Sequence, residues 1–259
     1  MRFLFLFAAA LSVAAVFSPG VRAEQVSVEK VKRSPQFPDA RAKIAFPSDG
    51  GSVFSFSPEV ALEVSGYELG VQTNTGRKNR LANSDKGQHL HLIVDNKPYM
   101  AIYDTSKPVR LSGLTPGPHT LVVFPSRSYH ESVKTSGAAD VVNFNVISSF
   151  AISPWLAGPA LIYSRPKGTY KGAGADKVMV DFYLHNVGLS KDGYTVRLSV
   201  FPDGGAEPVV TEVFDKWQPA FVKGLKSGGY SFFLELVDPD GKTVPGKFGS
   251  RSRIVKIER

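Results

Sequence analysis

The 259-residue chain contains no cysteine. No disulfide can staple it, no thiolate can ligate a metal, and no lipid-accepting cysteine follows its N-terminal apolar run. Stability must come from buried apolar surface and hydrogen bonds, for which a chain of this length has room in one large core or two ordinary ones. Long helical periodicity is missing, and no apolar run anywhere reaches the roughly 20 residues that span a bilayer. A stripe of basic residues interleaved with stacking aromatics is also absent, so the formal charge of +8 points away from nucleic acid and toward an envelope protein or anionic polymer. Catalytic arrangements are equally scarce. No Gly-x-Ser-x-Gly elbow occurs, Gly249-Ser250-Arg251-Ser252 lacks the second glycine, and carboxylates sit mainly in turns such as Asp238-Pro239-Asp240-Gly241. These absences point to a non-catalytic binding or interaction module rather than an enzyme.

What is present begins with a secretion signal over residues 1–23. Arg2 is a positive start, Phe3 to Phe17 an apolar run, Ser18-Pro19-Gly20 a helix-breaking approach, and Val21-Arg22-Ala23 a small-residue cleavage site. The expectation is a periplasmic or secreted protein with no membrane insertion once the signal is removed. Residues 24–41, with Pro35 and Pro38, read as an extended arm. Beyond them run short segments of alternating apolar and polar residues, rich in Val, Phe, Tyr, Ile and Thr and separated by Gly, Pro, Asp and Asn, the pattern of an all-β sandwich.

An internal repeat divides this pattern. Gly113-Leu114-Thr115-Pro116-Gly117-Pro118-His119-Thr120-Leu121 reads without a gap onto Gly224-Leu225-Lys226-Ser227-Gly228-Gly229-Tyr230-Ser231-Phe232, and Gly87 to Val94 reads onto Gly193 to Val200. A period of a little over 100 residues is that of one immunoglobulin-like domain. Two tandem immunoglobulin-like β-sandwiches are therefore expected, over 42–147 and 158–259, with a linker over 148–157.

The chain has five histidines, and two stand one residue apart in Gly87-Gln88-His89-Leu90-His91-Leu92-Ile93-Val94. Strand periodicity puts Leu90, Leu92 and Val94 on the core face and His89 and His91 together on the other, expected to be solvated, at a spacing that lets two imidazoles converge on one cation. A tight copper or zinc site needs further ligands, for which His119, His130, Asp95 and Glu131 are the candidates. His119 has a competing role. It stands where the second copy has Tyr230, at the start of a strand whose tyrosine often bonds back to the preceding turn, and an imidazole can do the same.

Ser126-Arg127-Ser128-Tyr129-His130-Glu131 reads as an exposed loop, with Arg127, Ser128 and Tyr129 as candidates for anion binding through a guanidinium fork. It resembles the Ser-Arg-x-His signature of forkhead-associated phosphopeptide-binding domains, with one residue too many between Ser126 and His130. Tyr163 to Gly172 mixes aromatics, cations and glycines, and reads as an ordinary connection with solvated lysines.

Phe46-Pro47-Ser48-Asp49-Gly50-Gly51-Ser52-Val53, Gly87-Gln88-His89-Leu90-His91-Leu92 and Leu114-Thr115-Pro116-Gly117-Pro118-His119-Thr120-Leu121 together resemble DUF4399, a family of small exported bacterial domains. The likeness covers the first copy. The whole chain also resembles two-domain exported bacterial proteins, some of them named phosphopeptide-binding. The family resemblance implies an immunoglobulin-like sandwich in the periplasm, with His89, His91 and His119 at the matching histidine positions, and implies no reaction. The family runs two histidines together, whereas Leu90 separates them here.

Overall fold

A computed structural model describes residues 25–147 and 156–259. The secretion signal expected over 1–23 lies outside the described residues, as does most of the expected linker, residues 148–155. The fold is all-β, with its strands in four sheets that face each other in two pairs. In chain order its strands are β1 (Ser27–Lys30), β2 (Arg41–Phe46), β3 (Ser52–Val53), β4 (Glu59–Ser65), β5 (His89–Val94), β6 (Met100–Ile102), β7 (Val109–Arg110), β8 (Gly117–Ser126) and β9 (Asp140–Val146). They continue with β10 (Ala160–Arg165), β11 (Gly168–Lys171), β12 (Val178–His185), β13 (Thr195–Pro202), β14 (Val210–Phe214), β15 (Ala220–Lys223), β16 (Gly228–Val237) and β17 (Ser250–Glu258).

The internal repeat has a structural counterpart. One five-stranded sheet runs β3-β9-β8-β5-β6 and the other β11-β17-β16-β13-β14, each with a parallel first pair and antiparallel neighbours thereafter. The first faces the sheet β2-β4-β7 across a core that includes Ile44, Leu62, Leu90, Leu92, Leu121 and Phe144; the second faces β1-β15-β12-β10 across Phe182, Leu198, Phe214, Phe232 and Leu234. Burying each such side chain stabilises the fold by about 1.5–3 kcal/mol, which is how a chain without disulfides holds together. Among the described residues no helix is long and apolar enough to cross a membrane.

Two expectations need adjustment. The N-terminal arm is extended but does not hang free: β1 pairs with β15 and completes the edge of the second sheet pair, after which Arg33 donates to the Trp217 carbonyl at 2.5 Å. And the face of β5 opposite its core is not solvated, because all six β5 residues are buried. Ile93, Tyr99, Val122 and Phe124 from the first sheet pair pack against Ala160, Ile162, Tyr183 and Phe248 from the second, with Phe124 and Tyr183 stacked at 4.8 Å. Asn96 ties the two pairs together, donating to the Leu161 and Lys247 carbonyls at 2.9 and 2.7 Å and accepting from the Tyr163 N–H at 2.8 Å.

Candidate metal centre

His89 and His91 alternate with Leu90 along β5, so both imidazoles leave the strand on the face that meets the second sheet pair. A third ring comes from the connection after β8. There the His130 N–H donates to the Arg127 carbonyl at 2.8 Å and the Arg127 N–H to the Glu131 carbonyl at 3.0 Å. His130 has φ 70°, in the left-handed region that few residues other than glycine occupy. This turn brings the ring back over β5. His89 Nε2 lies 3.1 Å from His91 Nε2 and 3.1 Å from His130 Nδ1, and the three residues each place one ring nitrogen within 4.8 Å of the others. Nitrogens bound to one ion at 2.0–2.1 Å would stand roughly 3.3–3.6 Å apart, so little adjustment separates this cluster from a coordination shell. His89 and His91 are wholly buried, and His130 is mostly so.

The protons do not account for this cluster. His89 Nδ1 faces the Gly87 carbonyl at 2.9 Å; a carbonyl only accepts, so Nδ1 carries the proton and Nε2 presents a lone pair. Both His91 Nε2 and His130 Nδ1 approach that one lone pair, which can accept only one well-aligned hydrogen bond. Ser164 Oγ lies 3.1 Å from His91 Nδ1, and the Tyr99 hydroxyl, 3.3 Å from His130 Nδ1, can donate there. In a neutral cluster the two approaching nitrogens compete for that single lone pair, whereas a single cation at the centre would satisfy all three lone pairs. Such outer partners, which fix each ring's tautomer and orientation, are the usual companions of metal-bound histidines.

Electrostatics favour the ligand form. Burial lowers the His89 pKa to about 4 against the opposing bond to Gly87, and burial holds His91 and His130 well below the ordinary range, with nearby Arg165 and Lys167 adding to the effect. All three imidazoles are thus neutral at neutral pH, the state that binds metal. Tyr99 stacks on His91 with ring centroids 3.5 Å apart and planes 8° from parallel. Lys167 Nζ lies 3.7 Å from the Tyr99 ring centroid and donates to the Tyr99 carbonyl at 2.8 Å, and the Arg165 guanidinium lies 5.4 Å from the same ring. Ser164 sits where the β10–β12 register shifts between Tyr163 and Arg165, a bulge that turns its hydroxyl toward His91.

His119 lies apart from this cluster. Its Nδ1 is 2.6 Å from Asp95 Oδ2 and its Nε2 is 2.8 Å from the Thr115 carbonyl, so both ring nitrogens are committed to the corner before β8. The bond to Asp95 raises the His119 pKa. Burial pushes Asp95 up, but hydrogen bonds from His119, Lys247 and the Thr120 N–H outweigh it and hold the carboxyl at about 2.

The exposed anion-binding loop expected over Ser126–Glu131 is not exposed. Arg127 and Ser128 have no accessible surface and Tyr129 has 1 %, because the N-terminal arm crosses the loop and supplies its partners. Arg127 donates to the Pro35 and Ser132 carbonyls at 2.5 and 3.2 Å and stands 3.8 Å from Glu131. Tyr129 donates to Ser34 Oγ at 2.8 Å, and the Ser128 N–H donates to Thr73 Oγ1 at 3.1 Å. Glu131 accepts from the Ser34 N–H, from Ser34 Oγ and from Arg77, each at 2.7 Å. The guanidinium that was to hold an anion is neutralised from within.

Sequence reasoning missed Tyr99, Ser164 and Lys167. The last two lie in Tyr163–Gly172, whose mix of aromatics and cations was a signal, while nothing local marks Tyr99.

No family model and no curated protein sequence matches the chain. Among solved structures, the Clostridium thermocellum CbhA fibronectin(III)-like modules are similar at 12 % identity, covering 84 % of this chain and 94 % of that one, with a TM-score of 0.27. The chicken CNTN1 FN1-FN3 domains are similar at 10 % identity, with 85 % and 66 % coverage and a TM-score of 0.23. The D00-D0 domain of intimin is similar at 10 % identity, with 85 % and 100 % coverage and a TM-score of 0.22.

Proposed function

We propose that this chain is a non-catalytic metal-binding protein in which His89, His91 and His130 together hold one copper or zinc ion. The observation that carries this reading is the approach of two imidazole nitrogens to the single lone pair of His89 Nε2, each at 3.1 Å, with the outer nitrogens of His89 and His91 engaged by Gly87 and Ser164. Imidazole suits both metals, and three nitrogens from two elements are enough for a site of useful affinity. With the secretion signal read at residues 1–23, the protein would meet its metal in the bacterial envelope or outside the cell.

Titration calorimetry with Cu(II) and Zn(II) tests the reading on the wild-type protein and on His91→Ala. One equivalent should bind the wild type and none should bind the variant. Weak binding of equal strength to both proteins would remove the reading.

A further inference from the structure

Resting on the reading above, we infer that the ion this site is built to hold is monovalent copper, Cu(I), in preference to any divalent ion. The ligand set contributes no negative charge: it consists of three neutral imidazoles, and the cluster contains no carboxylate. The nearest charged side chains are positive, and Asp181, the carboxylate that acts on Arg165, is already paired with Lys134. Lys167 Nζ is fixed 3.7 Å from the centroid of the Tyr99 ring, whose other face lies on His91. The Arg165 side chain is buried beside the same ring and donates to the Tyr170 hydroxyl at 3.0 Å, with its Nε unpartnered. Among the described residues neither cation is ion-paired with a carboxylate.

An ion entering here is therefore repelled by two nearby positive charges in a region largely closed to water, and each further unit of charge on the ion multiplies that repulsion. Zn(II) or Cu(II) would arrive with two uncompensated charges, and Zn(II) also prefers a fourth ligand. The nearest fourth group is the Tyr99 hydroxyl, 3.3 Å from His130 Nδ1. A singly charged ion satisfied by three nitrogens meets neither difficulty.

The test measures dissociation constants for the wild-type protein: Cu(I) by anaerobic competition with bathocuproine disulfonate, and Cu(II) and Zn(II) by calorimetry. Cu(I) should bind one per chain, at least about 100-fold tighter than either divalent ion. Lys167→Glu, which replaces a half-buried cation with an anion, should narrow that gap at least about tenfold by tightening the divalent ions. Lys167→Gln should move it the same way by less, and serves if the glutamate variant does not fold. If Cu(II) or Zn(II) binds the three histidines as tightly as Cu(I), the charge argument falls while the metal site stands. If no ion binds stoichiometrically and His91→Ala changes nothing, the metal reading itself falls.

Discussion

Within the histidine set, two residues with the same side chain do opposite work. His91 is wholly buried, holds Ser164 on one nitrogen and turns the other toward His89, whereas His119 has both nitrogens taken by Asp95 and Thr115. His119→Ala should accordingly leave metal stoichiometry unchanged and lower stability by on the order of 2 kcal/mol, because it strands a buried carboxylate oxygen; calorimetric titration and chemical denaturation of the same sample separate the two effects. The pair also sets a pH signature. The depressed Asp95 pKa contributes stability that is present above its unfolded value near 3.8 and is lost as pH falls toward about 2. The raised His119 pKa contributes stability that is complete below 6.5 and is lost as pH rises through the folded value above it. Thermal melts of wild type and His119→Gln should therefore differ most around pH 5–6 and converge at alkaline pH; a difference independent of pH would contradict the pair. The corner role of His119 was legible in its alignment with Tyr230, and the paired orientation of His89 and His91 in their spacing. The burial of Arg127 was not legible, since the arm that covers it lies about 90 residues away in sequence.

Among the elements, β5 shows what a strand pattern can and cannot say. Alternation assigns Leu90, Leu92 and Val94 to a core, but a period of two does not tell whether the other face meets water or another sheet. Here it meets β10, and the bulge at Ser164 delivers the outer partner of His91. Ser164→Ala should weaken metal binding by about tenfold without changing its stoichiometry, in line with the usual cost of removing a second-layer partner, and competition titration would read it. The arm strand β1 belongs to the same scale. It covers the β15 edge through the register Ser27 to Lys30 against Lys223 to Ala220, and deleting residues 25–30 should lower the melting temperature and raise the tendency to aggregate by baring that edge, as light scattering during a thermal ramp would record.

For the molecule as a whole, the repeat was readable from the G-L-x-x-G-x-(H/Y)-x-(L/F) pattern and reappears as two five-stranded sheets of identical order. The packing of one sheet pair on the other was not readable, because it depends on residues such as Phe124, Tyr183 and Asn96 that carry no mark in a single sequence. That packing buries the histidine face, which the strand pattern presents as a solvated surface, and encloses the three imidazoles of the proposed metal centre. Asn96→Ala, which leaves the Tyr163 N–H and two carbonyls without their partner, should cost several kcal/mol in denaturant unfolding. The most direct test of the three-histidine centre is X-ray absorption at the metal edge of protein loaded with one equivalent of copper or zinc. The expected spectrum has three imidazole nitrogens at about 2.0 Å with their multiple-scattering signature, reduced to two when His130 is replaced by alanine. A shell of oxygen ligands without imidazole scattering, unchanged by that substitution, would contradict the account.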